Sequence, residues 1–158
     1  MFRKMLRSKQ ALSQEDCAQV LRQEMRGVLS VLGDDGYPYG MPMNYLYDET
    51  NGCLYFHGGR FGHKIDALRR CDKASFCVYD GGYRREGEWA LNIRSVIVFG
   101  RLRPVTEEAR AMDISRKLSY KFTADENYIS EEILRAGPRT LGWEPIPEHI
   151  TGKLVNES

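Results

Sequence analysis

The residues best suited to chemistry lie between positions 54 and 71, where the sequence reads LYFHGGRFGHKIDALRRC. A strand-like apolar run ends in His57-Gly58-Gly59, and a helix-like run begins near Gly62 with His63 and Lys64 in its first turn. Glycine has no Cβ and lets the backbone approach a ligand closely, and the first turn of a helix presents unpaired amides and a partial positive charge. Basic residues there are favourable when an anion is bound. The stretch therefore predicts a phosphate-binding loop, and the alternative is a solvated basic helix start.

The histidines and cysteines allow two further kinds of chemistry, proton transfer and metal binding. An imidazole titrates near neutrality, so His57 is the candidate catalytic residue, as a proton donor or a substrate contact. The alternative is that it holds the loop or the phosphate. Cys53, His57, His63 and Cys71 are of the types that bind zinc, but their spacing, C-x3-H-x5-H-x7-C, matches none of the usual structural zinc patterns. We therefore predict no metal site.

The composition argues against several classes of protein. The chain has 158 residues, which favours a single domain over 1–158. Its 23 basic and 22 acidic side chains lack the strong positive charge expected of a nucleic-acid-binding protein. No apolar run approaches the roughly 20 residues that cross a membrane, and no apolar segment of a secretory signal follows the basic N-terminus. Four scattered cysteines are typical of reduced thiols, so we expect a cytoplasmic protein without a membrane or nucleic-acid partner.

Periodicity and capping residues predict the elements that position this loop. Helices are expected from Ser13 to about Met25, from His63 to Arg70, from Thr106 to about Tyr120, and from Asp125 to a stop at Gly137-Pro138. Strands are expected over 26–33, 37–48, 53–58, 74–79, 90–105 and 139–155, with a hairpin turn at 34–36. Hairpin-linked strands with a few helices predict a mainly β fold, a small antiparallel barrel with peripheral helices.

The segment from Tyr37 to Tyr47 alternates with a period of two, which strongly indicates a strand. One face carries tyrosine and methionine side chains, and the other carries Pro38, Gly40, Pro42, Asn44 and Leu46. The prolines imply an edge strand or a place where ladder hydrogen bonding lapses. The tyrosine and methionine face favours core packing over a cofactor platform. For Asn44 two roles are open, a hydrogen bond to a ligand ring or the satisfaction of a strand end.

Four motifs occur in order along this region: D-G-Y-P-Y, P-x-N-Y, Y-F-H-G and G-H-K. Together they resemble the pyridoxamine-phosphate-oxidase-like flavoproteins, and more narrowly the nitroimidazole-resistance branch of that superfamily. The resemblance covers residues from about 12 to 103, with a weaker echo in EHITGK at 148–153. It implies an antiparallel split β-barrel, an FMN bound at a homodimer interface, and redox chemistry or flavin carriage.

The resemblance also implies cofactor-binding residues. It places Pro42, Met43, Asn44 and Tyr45 along the isoalloxazine ring, His57 and Gly58 beside the ribityl chain and phosphate, and His63 and Lys64 on the phosphate. Ser95 occupies the position at which vitamin-forming relatives have a ring-contacting glutamine, and a serine would reach the flavin only through water. Those relatives also have arginine and lysine on the strand that here contains PMNY, which argues against pyridoxamine phosphate as the substrate.

Two classes of function follow from these residues and the resemblance. The first is an FMN-dependent reductase that takes hydride from NAD(P)H or another donor and passes electrons to a 5-nitroimidazole-like nitroaromatic or a similar small acceptor. The second is a flavin carrier or sensor without turnover, or a haem-binding relative on the same barrel with His149 as its candidate ligand. FAD stays open as the cofactor, because a helix-end anion site accepts the first phosphate of either flavin. The Tyr/Met face, Trp143 and the two late helices favour a two-fold homodimer whose flavin touches both chains.

Overall fold

Strands dominate the computed structural model, which describes residues 1–136 and 140–157. The strands in that part of the chain are β1 (Arg26–Leu32), β2 (Pro38–Asn44), β3 (Leu46–Asp48), β4 (Cys53–Gly59), β5 (Lys73–Tyr79), β6 (Asn92–Val105) and β7 (Thr140–Asn156). The α-helices are α1 (Gln14–Gln23), α2 (His63–Arg70), α3 (Glu108–Tyr120) and α4 (Glu126–Ala136). The boundaries agree with the predicted ones within two residues, except that one predicted strand is divided. The predicted helix stop at Gly137-Pro138 lies outside the described residues.

Local chemistry explains where the elements begin. The Ser13 hydroxyl accepts a hydrogen bond from the Asp16 amide at 3.0 Å, and the Asp16 carboxylate accepts one from the Ser13 amide at 3.3 Å. This reciprocal capping satisfies two amides that α1 itself leaves unpaired. The turn between β1 and β2 is a short 3₁₀ turn in which Asp35 and Gly36 have φ angles of 55° and 76°. These residue types tolerate the left-handed region, which explains the sharp reversal.

All strand pairs are antiparallel, and the strand order is β2-β1-β5-β6-β7-β4-β3. The first and last strands of this order, β2 and β3, are consecutive in the chain and are separated only by Tyr45. The chain itself therefore joins the two ends of the sheet, because the segment 38–48 pairs with β1 in its first half and with β4 in its second. This is the predicted antiparallel split β-barrel with peripheral helices.

The division at Tyr45 corrects the prediction of one continuous strand over 37–48. Tyr45 is fully buried, and its hydroxyl donates a hydrogen bond to the Leu21 carbonyl at 2.7 Å. The tyrosine is therefore anchored to α1 while the chain crosses from one half of the barrel to the other. Pro38 and Pro42 lie on β2, which pairs only with β1 among the described strands, so the expected edge position of the prolines is confirmed.

The core lies inside the barrel and settles the orientation of the Tyr/Met face. Tyr39, Met41 and Met43 pack against buried residues that include Leu29 and Phe76. Core packing is therefore confirmed for these three residues, whereas Tyr37, at the start of the same face, is exposed at 74%. Little apolar surface of these three residues is left to support a dimer. None of the helices in the described ranges is long and apolar enough to span a membrane.

Candidate functional site

β2 and the end of β4 do not pair with each other, and we call the space between these two strands the opening. β4 pairs with β3 through Cys53–Tyr55 and with β7 through Phe56–Gly59, whereas β2 pairs with β1. Lys64, from the first turn of α2, extends into this opening. Its Nζ lies 3.7 Å from the Met43 sulfur on β2, and a Cβ added at Gly58 on β4 would lie 2.8 Å from Nζ. The ammonium group is therefore held between the two strands, and we call Met43, His57, Gly58 and Lys64 the Lys64 site.

The start of α2 is open to an anion. The N-cap residue Gly62 has a φ of 112°, and no side chain within the described chain caps the helix. The Ile65 and Asp66 amides both donate to the Gly62 carbonyl, at 2.9 and 3.1 Å, which leaves the two preceding amides of the first turn without an intrahelical partner. The partial positive charge of this helix end adds to the charge of Lys64. Both features favour a negatively charged ligand.

Lys64 is only weakly satisfied by the protein. It is half-buried, and desolvation by burial lowers its pKa. Among the residues that the structure describes, the Met43 thioether is the one hydrogen-bond acceptor of its ammonium group, and no carboxylate forms an ion pair with it. A thioether is a weak acceptor, and a partly desolvated cation without an anion is costly. Binding of an external anion would therefore be energetically favourable at this ammonium group.

His57 lies at the exposed end of β4, next to this cation. Desolvation by neighbouring atoms, and secondly the positive charge of Lys64, lower the pKa of the imidazole. Because the side chain is still exposed to solvent, the desolvation is partial. The ring is therefore mainly neutral near pH 7. In that state one ring nitrogen donates a hydrogen bond and the other accepts one.

His63 is turned toward the β1–β2 turn. Its Nε2 lies 3.4 Å from the Asp34 carboxylate, and its ring stacks on Tyr39 with a centroid separation of 4.2 Å. Arg70 also donates to Asp34, at 2.5 Å. The predicted basic pair at the start of α2 is thus divided between two neighbours, with Lys64 in the opening and His63 beside Asp34. In the sequence, Asp34 indicated only a turn.

The comparisons with known proteins place this geometry in a family. The family described as pyridoxamine 5'-phosphate oxidase matches residues 13–143 of the chain. The chain belongs to this family. No curated protein is significantly similar to it in sequence.

Solved structures share the fold of this family member at low sequence identity. A candidate 5-nitroimidazole antibiotic resistance protein from Bacteroides thetaiotaomicron has 18% identity and a TM-score of 0.79, over 92% of this chain and 87% of that one. A FAD-binding protein from Mesorhizobium loti has 23% identity and a TM-score of 0.65, over 92% and 96%. A FAD and heme binding protein from Mycobacterium smegmatis has 18% identity and a TM-score of 0.67, over 95% and 74%.

The remaining predicted residues of this pyridoxamine 5'-phosphate oxidase family member lie at different places. Pro42 and Asn44 alternate with Met43 along β2 and so point to its other face, away from the core. The side chain of Tyr45 belongs to the core, and burial raises the pKa of its phenol. Only the backbone of Tyr45 is therefore in a position to contribute to a site. The role of each as a cofactor contact stays a prediction.

Ser95 lies on β6, opposite Tyr79 and Lys153. Along β6 it is ten positions from Val105, which pairs with Gly142, the partner of His57 on β4. In the other direction, the strand registers align Ser95 with Tyr79 on β5 and, beyond β1, with Asn44 on β2. Three strand spacings correspond to about 14 Å. Ser95 is therefore far from His57 along β6 but only three strands from Asn44, and its role as a cofactor contact stays a prediction.

Lys121 is the residue that sequence reasoning missed. At the end of α3, its Nζ donates to the carbonyls of Glu24 at 2.5 Å and Tyr45 at 3.1 Å, and it lies 3.9 Å from the centroid of the Tyr45 ring. It thus fixes the point at which β2 ends. A lysine in the last turn of a helix usually indicates only a favourable dipole contact, so the sequence offered no signal for this role.

In the described ranges no three His, Cys, Asp or Glu side chains form a metal-binding group.

Proposed function

We propose that this protein binds a flavin and holds the phosphate of FMN at the Lys64 site. The observation that carries the proposal is the half-buried Lys64 ammonium, which has only a thioether acceptor in the described chain and stands at an uncapped helix start. A phosphate would supply the missing charge and accept hydrogen bonds from both Nζ and the first-turn amides. The names of several structural relatives, which include FAD-binding proteins, agree with a flavin ligand.

The residues around Lys64 fit such a ligand. Any side chain at Gly58 would occupy the place of the Lys64 ammonium, so the glycine keeps that position free for the cation. Because a proline cannot donate to the ladder, Pro38 and Pro42 belong at positions whose backbone faces away from β1. Gly40 and Asn44 share that alternation, so their amides lie along the free edge of β2. Amides and carbonyls on this edge would hydrogen-bond the polar edge of the flavin ring.

We further propose that the flavin-bound protein is a reductase. A flavin would supply the electron transfer, from a nicotinamide donor such as NAD(P)H to a nitroaromatic or similar small acceptor. Desolvation, and secondly the charge of Lys64, lower the pKa of His57 and favour its neutral form, which is suited to orient an acceptor or to pass a proton to it through one ring nitrogen. Alternatively, its ring holds the end of β4 in place. The first role predicts that His57→Ala keeps flavin and loses turnover, and the second that it loses flavin.

The proposed active form is a homodimer. Val28, Cys77 and Ile97 lie in register on β1, β5 and β6, and Val28 and Ile97 are exposed at 40% and 38%. Nearby on these strands, Tyr79 is exposed at 63%. This apolar row on the outer face of the sheet replaces the Tyr/Met face as the support for association.

Lys64→Ala tests the phosphate site. A charge-assisted hydrogen bond contributes about 1.5–3 kcal/mol, so FMN affinity should fall by roughly ten- to 150-fold. Riboflavin has no phosphate, and its affinity should barely change. Fluorescence titration of both flavins into apoprotein measures this, with the exposed Lys73→Ala as the matched control. Equal losses for the two ligands would mean that Lys64 supports the fold or the ring instead.

The visible spectrum of the purified protein separates the classes of function. Flavin bands support the proposal, and a Soret band would favour a haem protein. His149, the candidate haem ligand, lies on β7, and its ring stacks on that of Phe2 with a centroid separation of 4.6 Å. If flavin is present, bleaching by NAD(P)H and reoxidation by a nitroimidazole distinguish a reductase from a carrier.

A further inference from the structure

The contact between Lys64 and Met43 links a cation to an oxidisable atom. The Met43 sulfur lies 3.7 Å from Lys64 Nζ, and Met43 is only partly buried on the edge strand β2. Oxidation of a thioether to a sulfoxide converts an apolar side chain with a weak acceptor into a polar one with a strong acceptor oxygen. At this position the change would take place in direct contact with the ammonium group.

We propose that Met43 is a redox modification site whose sulfoxide captures the Lys64 ammonium and thereby weakens binding of a phosphate-bearing ligand. A sulfoxide oxygen turned obliquely toward Lys64 lies at a normal hydrogen-bond length of about 2.8 Å from Nζ, because the sulfur itself is 3.7 Å from Nζ. The adjustment falls on the ends of two flexible side chains. The functional consequence rests on the flavin phosphate proposed for the Lys64 site.

The oxidant is a peroxide, and the reaction balances without another reagent. The methionine sulfur donates an electron pair to one oxygen of hydrogen peroxide, the O–O bond breaks, and the second oxygen leaves as water after proton transfer. Sulfur is oxidised by two electrons and the peroxide is reduced by two. Hydrogen peroxide also arises when dioxygen reoxidises a reduced flavin, so a flavoprotein is exposed to this oxidant near its own cofactor.

Met41 provides a natural comparison within the same strand. It lies two residues before Met43, on the same face, and is likewise partly buried against the core. Within the described part of the chain, no side chain donates a hydrogen bond to its sulfur, unlike that of Met43. Oxidation at Met41 would therefore add a polar group without a cation to receive it. Comparing oxidation at the two methionines therefore distinguishes a general effect of methionine oxidation on FMN affinity from capture of the Lys64 ammonium.

The test combines peroxide treatment with flavin titration. Apoprotein is treated with hydrogen peroxide, the sites that gain one oxygen are identified by peptide mass spectrometry, and the affinities for FMN and riboflavin are measured before and after. We expect oxidation at Met43 and a loss of FMN affinity of about tenfold, the equivalent of one hydrogen bond to a charged group, with little change for riboflavin. Methionine sulfoxide reductases should restore the affinity.

Substitutions identify which residues cause the loss of FMN affinity after peroxide treatment. Met43→Leu should abolish the effect of peroxide on FMN affinity, measured as the ratio before and after treatment, whereas Met41→Leu should retain it. Met43→Gln, which offers an amide oxygen to Lys64, should lower FMN affinity without peroxide. If Met43 stays unoxidised, or its sulfoxide leaves FMN affinity unchanged, the inference is overturned while the flavin proposal stands. If the untreated protein does not prefer FMN to riboflavin, the flavin proposal itself fails.

Discussion

Two lysines, Lys64 and Lys121, are half-buried in the same small barrel, and burial lowers the pKa of both. Their surroundings differ. Lys121 donates to two backbone carbonyls and lies over the Tyr45 ring. Lys64 contacts only the Met43 thioether among the described acceptors. The first cation has strong acceptors within the protein, and the second has no strong acceptor among the described residues.

This difference teaches how to separate a structural cation from a binding cation when both are partly desolvated. A lowered pKa by itself does not distinguish them, because desolvation acts on both. The partners do. Removing a cation that pairs with buried carbonyls leaves those carbonyls unsatisfied, whereas removing a cation without good acceptors relieves a cost. The two lysines are therefore expected to respond in opposite ways to the same substitution.

The largest expected effect is on stability. Lys121→Met should lower the free energy of unfolding by about 2–4 kcal/mol, because the Glu24 and Tyr45 carbonyls lose their donor and the ring loses its cation. Lys64→Met, the matched change, should alter the stability of the apoprotein by less than about 1 kcal/mol or raise it. Urea denaturation of both apoproteins measures this. A comparable loss in the two variants would remove the distinction.

The second effect is the pH dependence of stability. Burial lowers the pKa of Lys121 to about 8, and the charge of Glu24 offsets only part of this. In the unfolded chain a lysine titrates near about 10.4. Between these values the unfolded state binds more protons than the folded state, so the contribution of Lys121 to stability increases as the pH rises.

Because Lys121 is only half-buried, solvent screening reduces the effect of this shift below its full value. The stability difference between the wild type and Lys121→Met should therefore grow by about 1–2 kcal/mol from pH 8 to about pH 10.5. Comparing two variants cancels the titration of tyrosines and cysteines in the same range. Parallel stability curves over this range would show that Lys121 titrates normally, and that it is exposed in solution.

The third prediction displaces the Lys64 ammonium without removing its charge. A Cβ at Gly58 would lie 2.8 Å from Nζ, the mobile end of a flexible side chain, so Gly58→Ala should keep the fold and move the cation. We expect FMN affinity to fall about tenfold, or about 1.4 kcal/mol. Gly59→Ala is the control, because its nearest atom, the Phe61 carbonyl oxygen, is 3.8 Å from the new Cβ. Equal affinities in the two variants would argue against a fixed position for the ammonium.

The smallest effect is on the titration of His57. Lys64 lowers the pKa of this imidazole through its charge, in addition to the larger effect of desolvation. Lys64→Met should therefore raise the pKa of His57 while leaving it below the ordinary value. An NMR pH titration of the His57 ring protons in apoprotein measures the change, with Lys73→Met as the control. An unchanged midpoint would place the ammonium too far from His57 to act on it.

Much of the fold was predictable from short-range patterns. The alternation along β2, the cap at Ser13 and the acidic turn before β2 depend on residues close in sequence, so their physics is visible in the chain itself. The loop around His57-Gly58-Gly59 and the start of α2 were recognised for the same reason. The proline positions also indicated correctly that β2 lies at an edge, since a proline cannot donate to a neighbouring strand.

The tertiary structure decided which of these residues meet. Lys121 is 76 positions from Tyr45, and Lys64 is 21 from Met43, and no local pattern records such contacts. His63 and Lys64 are neighbours with similar expected roles, yet packing directs one to Asp34 and the other into the opening. Tyr45 continues the alternating pattern of β2, but burial beneath α1 removes its side chain from any site. Residue type and spacing determined that a phosphate-binding loop was to be expected, and only long-range packing decided which cation was left without a strong partner.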